Sequence, residues 1–206
     1  IRYVSQNASV PVVKHDKGLC HTYIDKDADI ENAIAIAINA KVQRPGVCNA
    51  METLLVDEAI ATEILPILKS AFDHEHTQLK GCAVTQKFID VAPATPEDYD
   101  TEYLANILNI RVVTGVDGAI QHIVEHSSGH SEAIITENIT TAERFMDAID
   151  SACVYVNAST RFTDGAAFGF GAEVGISTNK LHARGPMGVE GLTTYKFKIY
   201  GKGQIR

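Results

Sequence analysis

Cysteine is scarce in this sequence, and the four that occur, Cys20, Cys48, Cys82 and Cys153, lie far apart with no CxxC pair. That excludes a zinc ribbon and a dense disulfide scaffold and leaves free thiols as the simple reading. No apolar run approaches the ~20 residues of a membrane span, and the N-terminus has no basic segment followed by an apolar one. Neither a membrane helix nor a signal peptide is therefore expected, and a cytoplasmic location follows as the default. Positive charge is also in short supply: 18 Lys and Arg stand against 26 Asp and Glu, for a net charge of -8. Nucleic-acid surfaces need clustered cations, so nucleic acid is not an expected partner. Metal signals fail as well. Asp25-Lys26-Asp27-Ala28-Asp29 opens like a calcium loop but carries Ile30 and Ile36 where glycine and glutamate are required, and His74-Glu75-His76 has no third ligand nearby. No metal site is expected.

What is present is an ordinary globular composition, 45% hydrophobic and 21% charged, of a length that suits one main domain. The apolar periodicity alternates between strand and helix. Val10–Val13 and Cys20–Ile24 read as short strands about the turn His15-Asp16-Lys17-Gly18. Asp29 caps a helix through Lys41, with Ile30, Ala33, Ile34, Ala37 and Ile38 on its inner face. Arg44-Pro45-Gly46 stops it, and a turn delivers Cys48 ahead of the strand Glu52–Val56. A helix over Asp57–Phe72, strands at Val84–Ile89 and Ile110–Thr114, a helix over Asp117–Glu125, a strand at Ala133–Thr136, a helix over Thr140–Ile149 and a strand at Ala152–Val156 follow. Thr163–Gly175 reads as an irregular loop and Leu192–Tyr200 as an alternating final strand. The alternation predicts an α/β fold: three layers, with a mostly parallel sheet between helices.

Cys48 is the residue best placed for chemistry. Its thiolate form is a strong nucleophile that makes an acyl intermediate, and it sits on a Pro-Gly turn beside Asn49, whereas Cys20 and Cys153 lie inside strand-like runs and read as core. Gly169-Phe170-Gly171-Ala172-Glu173-Val174-Gly175 lacks the strand-turn-helix setting of a dinucleotide fingerprint and reads as a substrate-side loop.

The stretch Gln43-Arg44-Pro45-Gly46-Val47-Cys48-Asn49-Ala50-Met51-Glu52-Thr53 resembles the cysteine motif of the glutamyl phosphate reductases, members of the aldehyde dehydrogenase superfamily. The likeness continues through Asp98–Tyr103, Ser128-Gly129-His130, Val156–Phe162 and Leu181–Gly188, and so covers nearly the whole chain. It implies the C-terminal catalytic half of such an enzyme: residues 1–20 ending a nucleotide-binding domain, 21–184 forming the catalytic domain, and 185–206 an oligomerisation segment whose strand reaches a partner subunit. The implied reaction is NADPH-dependent reduction of L-glutamyl 5-phosphate to L-glutamate 5-semialdehyde and phosphate, in proline biosynthesis.

By the same resemblance Cys48 is the nucleophile and Asn49 its catalytic neighbour, while Glu102 binds the nicotinamide ribose. Arg161, Ser159, Arg44 and His130 are candidates to hold the substrate's phosphate or α-carboxylate, and guanidinium forks suit both groups. His15 falls where aldehyde-oxidising relatives carry a glutamate base; a reductase working from an acyl phosphate has no need to activate water there. A homo-oligomer is implied, with glutamate 5-kinase as a candidate partner. Two alternatives stand beside this reading: the reductase half of a fused pyrroline-5-carboxylate synthase, and a catalytically silent oligomerisation module.

Overall fold

A computed structural model describes residues 1–206. After a six-residue helix, α1 (Arg2–Asn7), and an irregular stretch, the chain winds β1 (Cys20–Ile24), α2 (Ile30–Val42), β2 (Met51–Asp57), α3 (Ala61–His74), β3 (Gln78–Gly81), β4 (Ala92–Pro93), β5 (Ile107–Val113), α4 (Gly115–His126), β6 (Ser131–Ile135), α5 (Ile139–Ala148) and β7 (Cys153–Val156). A small antiparallel hairpin, β8 (Gly175–Ser177) and β9 (Gly185–Met187), follows.

The seven strands β1–β7 form one sheet in the order β4-β3-β5-β2-β1-β6-β7, and every pairing in it is parallel. Alternate strand residues feed two cores, because neighbouring side chains leave a strand on opposite faces. Ile24, Leu54, Val56, Leu108 and Ile110 meet Ala33, Ala37 and Ala40 of α2 and Ile64, Leu65, Leu68 and Phe72 of α3 on one face. Tyr23, Leu55, Val113 and Ile134 meet Ala119 and Ile123 of α4 and Phe145 of α5 on the other. The result is the expected three-layer α/β arrangement. Asp29 caps α2 as its spacing predicts, its carboxylate accepting the N–H of Asn32 at 2.8 Å.

Four elements differ from the sequence reading. Val10–Val13 forms no strand; this stretch is tied instead to residues 178 and 179, through Thr178 N–H to Lys14 O and Asn179 Nδ2 to Val12 O. Val84–Ile89 is not a strand but contains a 3-10 turn at Thr85–Lys87, and the strand of this region is the more polar Gln78–Gly81. Gly81 ends that strand under the side chains of Val91 and Thr85, and a Cβ there would meet Val91 Cγ2 at 2.7 Å and Thr85 Cγ2 at 2.8 Å. The third helix starts at Ala61, because Asp57 completes β2 and turns back to accept the N–H of Ala59. Leu192–Tyr200 joins no ladder within the chain: a 3-10 turn at Glu190–Leu192 leads into a stretch without regular structure whose Tyr195, Phe197 and Ile199 are exposed. The alternation is real, but no strand of this chain lies beside it.

Candidate active site

Cys48 lies in the turn between α2 and β2, at the amino edge of the sheet where Cys20 pairs with Met51. The turn is half-buried and crowded. Gly18, just ahead of β1, packs so close to the Cys48 peptide that a Cβ on it would stand 2.0 Å from the Cys48 carbonyl oxygen. Beneath, the Cys20 thiol donates to that same carbonyl at 3.2 Å. Cys20 is wholly buried, and burial pushes its own thiol far up, so it is an inert support for the turn.

Glu102 reaches the turn from the other side of Gly18. Its Oε1 accepts the Gly18 N–H at 2.9 Å, and its second oxygen has no partner within the chain. The Cys48 thiol stands above its usual range, first through burial and then through the carboxylates of Glu102 and Glu173; its own N–H and Arg161 act in the opposite direction. Glu173 belongs to the Gly169–Gly175 loop, so that loop does come to the cysteine side, and the carboxylate also accepts the Gly165 N–H at 2.9 Å.

Asn49 is buried and fully engaged. Its Nδ2 donates to Thr163 O at 2.8 Å, its Oδ1 accepts from the Arg161 guanidinium, and its carbonyl accepts from the Thr160 hydroxyl at 2.8 Å. The residue therefore clamps the Cys48 turn to the 3-10 turn Thr160–Phe162. Arg161 is half-buried and also donates through Nε to Gln43 Oε1 at 2.7 Å. Burial and then the neighbouring Arg44 hold its guanidinium below the usual range. Arg161 is thus tied to the Cys48 turn through Asn49, while exposed Arg44 makes no side-chain hydrogen bond or ion pair.

Ser159 and His130 take other places. The Ser159 hydroxyl is buried and accepts the Arg161 N–H at 3.2 Å, shaping the turn. His130 is completely buried, its Nδ1 2.9 Å from Ser131 Oγ and 3.7 Å from Cys20 Sγ. Burial and then His15 bring it down to about 4, so it is a neutral imidazole under the site. His15 stands edge-on to it, ring centroids 5.7 Å apart, with Nδ1 held by Ile176 O at 3.1 Å. The sequence reading passed over Gly18 as a partner of Cys48, and the ion pair of Lys41 with Glu52 behind it. Glu52 was visible inside the cysteine motif; Lys41 carried no signal beyond a charge on the inner side of a helix.

No protein-family model matches the chain. Against curated proteins, the chain is 82% identical over 206 residues to the gamma-glutamyl phosphate reductase of Sulfurovum sp. (strain NBC37-1) and 72% identical to that of Sulfurimonas denitrificans, covering 100% of itself and 50% of each. Among solved structures, the gamma-glutamyl phosphate reductase of Thermotoga maritima superposes with a TM-score of 0.95 at 52% identity, again over 100% of this chain and 50% of that one. An acetylating aldehyde dehydrogenase from Geobacillus thermoglucosidasius shares the fold at 18% identity, with a TM-score of 0.72 over 97% of this chain and 55% of its own. The chain spans about half the length of the curated relatives it matches.

Proposed function

The chain being homologous, from end to end, to half of the gamma-glutamyl phosphate reductases, we propose that it is the nucleophile-bearing half of such an enzyme, reducing L-glutamyl 5-phosphate to L-glutamate 5-semialdehyde with NADPH. The observation that carries this reading is the approach to the Cys48 turn of a carboxylate with a free oxygen, Glu102 on Gly18, and of a guanidinium, Arg161 on Asn49.

In this reading the Cys48 thiolate attacks the acyl carbonyl, the carbon–sulfur bond forms, and the carbon–oxygen bond to phosphate breaks. The Cys48 N–H donates to the oxyanion. Arg161 and Arg44 take the phosphate or the α-carboxylate, groups that a guanidinium grips through paired N–H donors. Glu102 suits a nicotinamide ribose: its unpartnered oxygen can accept from a hydroxyl while the other stays on Gly18. NADPH, when bound, would supply the hydride that takes the thioacyl carbon to the aldehyde level, and the carbon–sulfur bond would then break to free the aldehyde and return the Cys48 thiolate. Residues 1–20 would end the nucleotide-binding domain and 21–184 the catalytic domain. Residues 185–206, with their exposed Tyr195, Phe197 and Ile199, would pair with a second subunit.

Burial raises the Cys48 thiol within this chain, so the reading requires activation by substrate and by the other half of the enzyme. The experiment is the reverse reaction, glutamate 5-semialdehyde with NADP+ and phosphate, in the full-length enzyme. Reduction of the dinucleotide that depends on phosphate and vanishes in Cys48→Ser supports the assignment; phosphate-independent turnover, or activity retained in Cys48→Ser, rejects it.

A further inference from the structure

The proposed chemistry makes no use of an ion pair buried directly behind the nucleophile. Lys41, in the last turn of α2, is 0% exposed, and its Nζ lies 2.8 Å from Oε2 of Glu52, itself 2% exposed. Burial pushes the Glu52 carboxyl up to about 7 and pulls the Lys41 ammonium down, so desolvation outweighs the attraction between them. Pairs of this kind are commonly replaceable by packed apolar side chains at no loss of stability. Stability alone therefore does not account for it.

The backbone is bent beside this pair. In the ladder between β1 and β2, Cys20 stands opposite Met51 and His21 opposite Thr53, which leaves Glu52 unmatched in a bulge. Glu52 faces α2 in step with Leu54 and Val56 and meets Lys41, and the bulge turns Met51 to the same face, beside Ala33, Ala37 and Ala40. Bulges re-aim side chains in this way next to active sites. The other oxygen of Glu52 holds a second segment. Oε1 accepts the N–H of Leu104 at 3.3 Å. Leu104 has φ of 52°, a left-handed conformation that a leucine adopts only when its surroundings impose it. Its carbonyl lies against Gly46, where a Cβ would meet it at 3.6 Å. Two residues earlier on the same segment is Glu102, bonded to Gly18, which in turn is packed on Cys48.

We propose that Lys41 and Glu52 are positioning residues: the pair pins the Leu104 turn to the cysteine strand and so fixes the Glu102 carboxylate relative to Cys48. Its consequence for catalysis rests on Glu102 binding the dinucleotide. Lys41 fixes the direction of the Glu52 carboxyl through its bond to Oε2, Glu52 holds the strained turn through Oε1, and the turn sets the reach of Glu102. Without the acceptor, Leu104 relaxes and Glu102 is free to leave its place while the fold persists.

Two double variants of the full-length enzyme separate positioning from packing. Lys41→Met/Glu52→Met keeps side-chain length and removes both charges and the acceptor; Lys41→Gln/Glu52→Gln removes the charges but keeps an acceptor for Leu104. The Met pair should melt near the unmodified enzyme yet raise the dinucleotide KM about tenfold with a smaller change in kcat, as for one lost hydrogen bond, and the Gln pair should bring KM back to within about twofold. Hydrogen exchange of the peptide spanning 102–107 should quicken in the Met pair only. Equal KM and equal exchange in the two pairs overturns the proposal. Glu102→Gln serves as the control: an unchanged KM there defeats the ribose assignment, whereas a raised KM there with no effect of the Met pair defeats the positioning role. Should the Met pair not fold, the unmodified enzyme still decides, because an unprotected Leu104 amide contradicts the proposed bond.

Discussion

Gly18 touches both groups on which the proposed chemistry depends: its Cα is packed on the Cys48 peptide, and its N–H is held by Glu102. A methyl group there would stand 2.0 Å from the Cys48 carbonyl oxygen. The contact is with backbone, which cannot swing aside as a side chain would. Gly18→Ala should therefore separate Cys48 from Glu102 and lower kcat/KM by about a hundredfold, the usual consequence of misplacing reacting groups by an ångström. Steady-state kinetics on a variant shown to be folded by circular dichroism checks this.

The cysteines differ in a way that an alkylation experiment reads directly. Cys82 is half-buried, and although burial works against it, the hydroxyl and N–H of Thr85 bring its thiol below the usual range. Cys48 is half-buried with its thiol raised, and Cys20 is sealed in the core. In the chain by itself, limiting iodoacetamide near pH 7.5 should label Cys82 first, Cys48 later and Cys20 last. The Cys48 rate should rise steeply on the alkaline side. Peptide mass spectrometry across a pH series measures it.

Arg161 spends Nε on Gln43 and one terminal nitrogen on Asn49, so its fork is fixed in direction. Arg161→Lys keeps the charge and loses the fork. The KM for glutamate 5-semialdehyde or for phosphate should rise about tenfold while that for the dinucleotide holds, since a lysine cannot reproduce paired N–H donors. Initial-rate kinetics with each substrate varied in turn gives the answer.

Acid should destabilise the fold through two buried histidines. His122 is brought down to about 2 by burial and then by His21, Arg111 and His126, and His130 to about 4 by burial. Lowered values mean that the unfolded chain takes up protons the folded one refuses. Their contribution is present above the ordinary histidine range and is lost as pH falls below about 6.5, with a slope of about 1.4 kcal/mol per pH unit for each histidine. Glu52 works the other way: raised to about 7, it adds stability at low pH that disappears as pH rises from its ordinary range through 7. Denaturant unfolding between pH 6.5 and 4.5 should show the net decline toward acid, and His122→Asn should lessen its slope by one histidine's share.

The layered α/β architecture was readable because β1, β2, β5 and β6 are apolar runs and α2–α5 carry apolar residues at helical spacing. Periodicity failed where a contact outside the segment decides. Val84–Ile89 has the composition of a strand, yet the sheet takes Gln78–Gly81, which pairs with β5, while the Val84 segment coils into a 3-10 turn whose Thr85 hydroxyl donates to Ile110 O. Leu192–Tyr200 alternates like a strand and finds no partner in this chain. At the site, Cys48 and Glu102 stood out through motif resemblance and chemistry. The bulge at Glu52 and the approach of Gly18 did not, since both are properties of two segments brought together by the fold.

The central claim, an acyl group carried on Cys48, is tested most directly in the full-length enzyme by mixing it with glutamate 5-semialdehyde and NADP+ while withholding phosphate. The account predicts a burst of NADPH equal to one per active site, an acyl mass on the peptide containing Cys48, and discharge of that mass when phosphate is added. No burst, or an acyl mass on Cys20, Cys82 or Cys153 in place of Cys48, would contradict it.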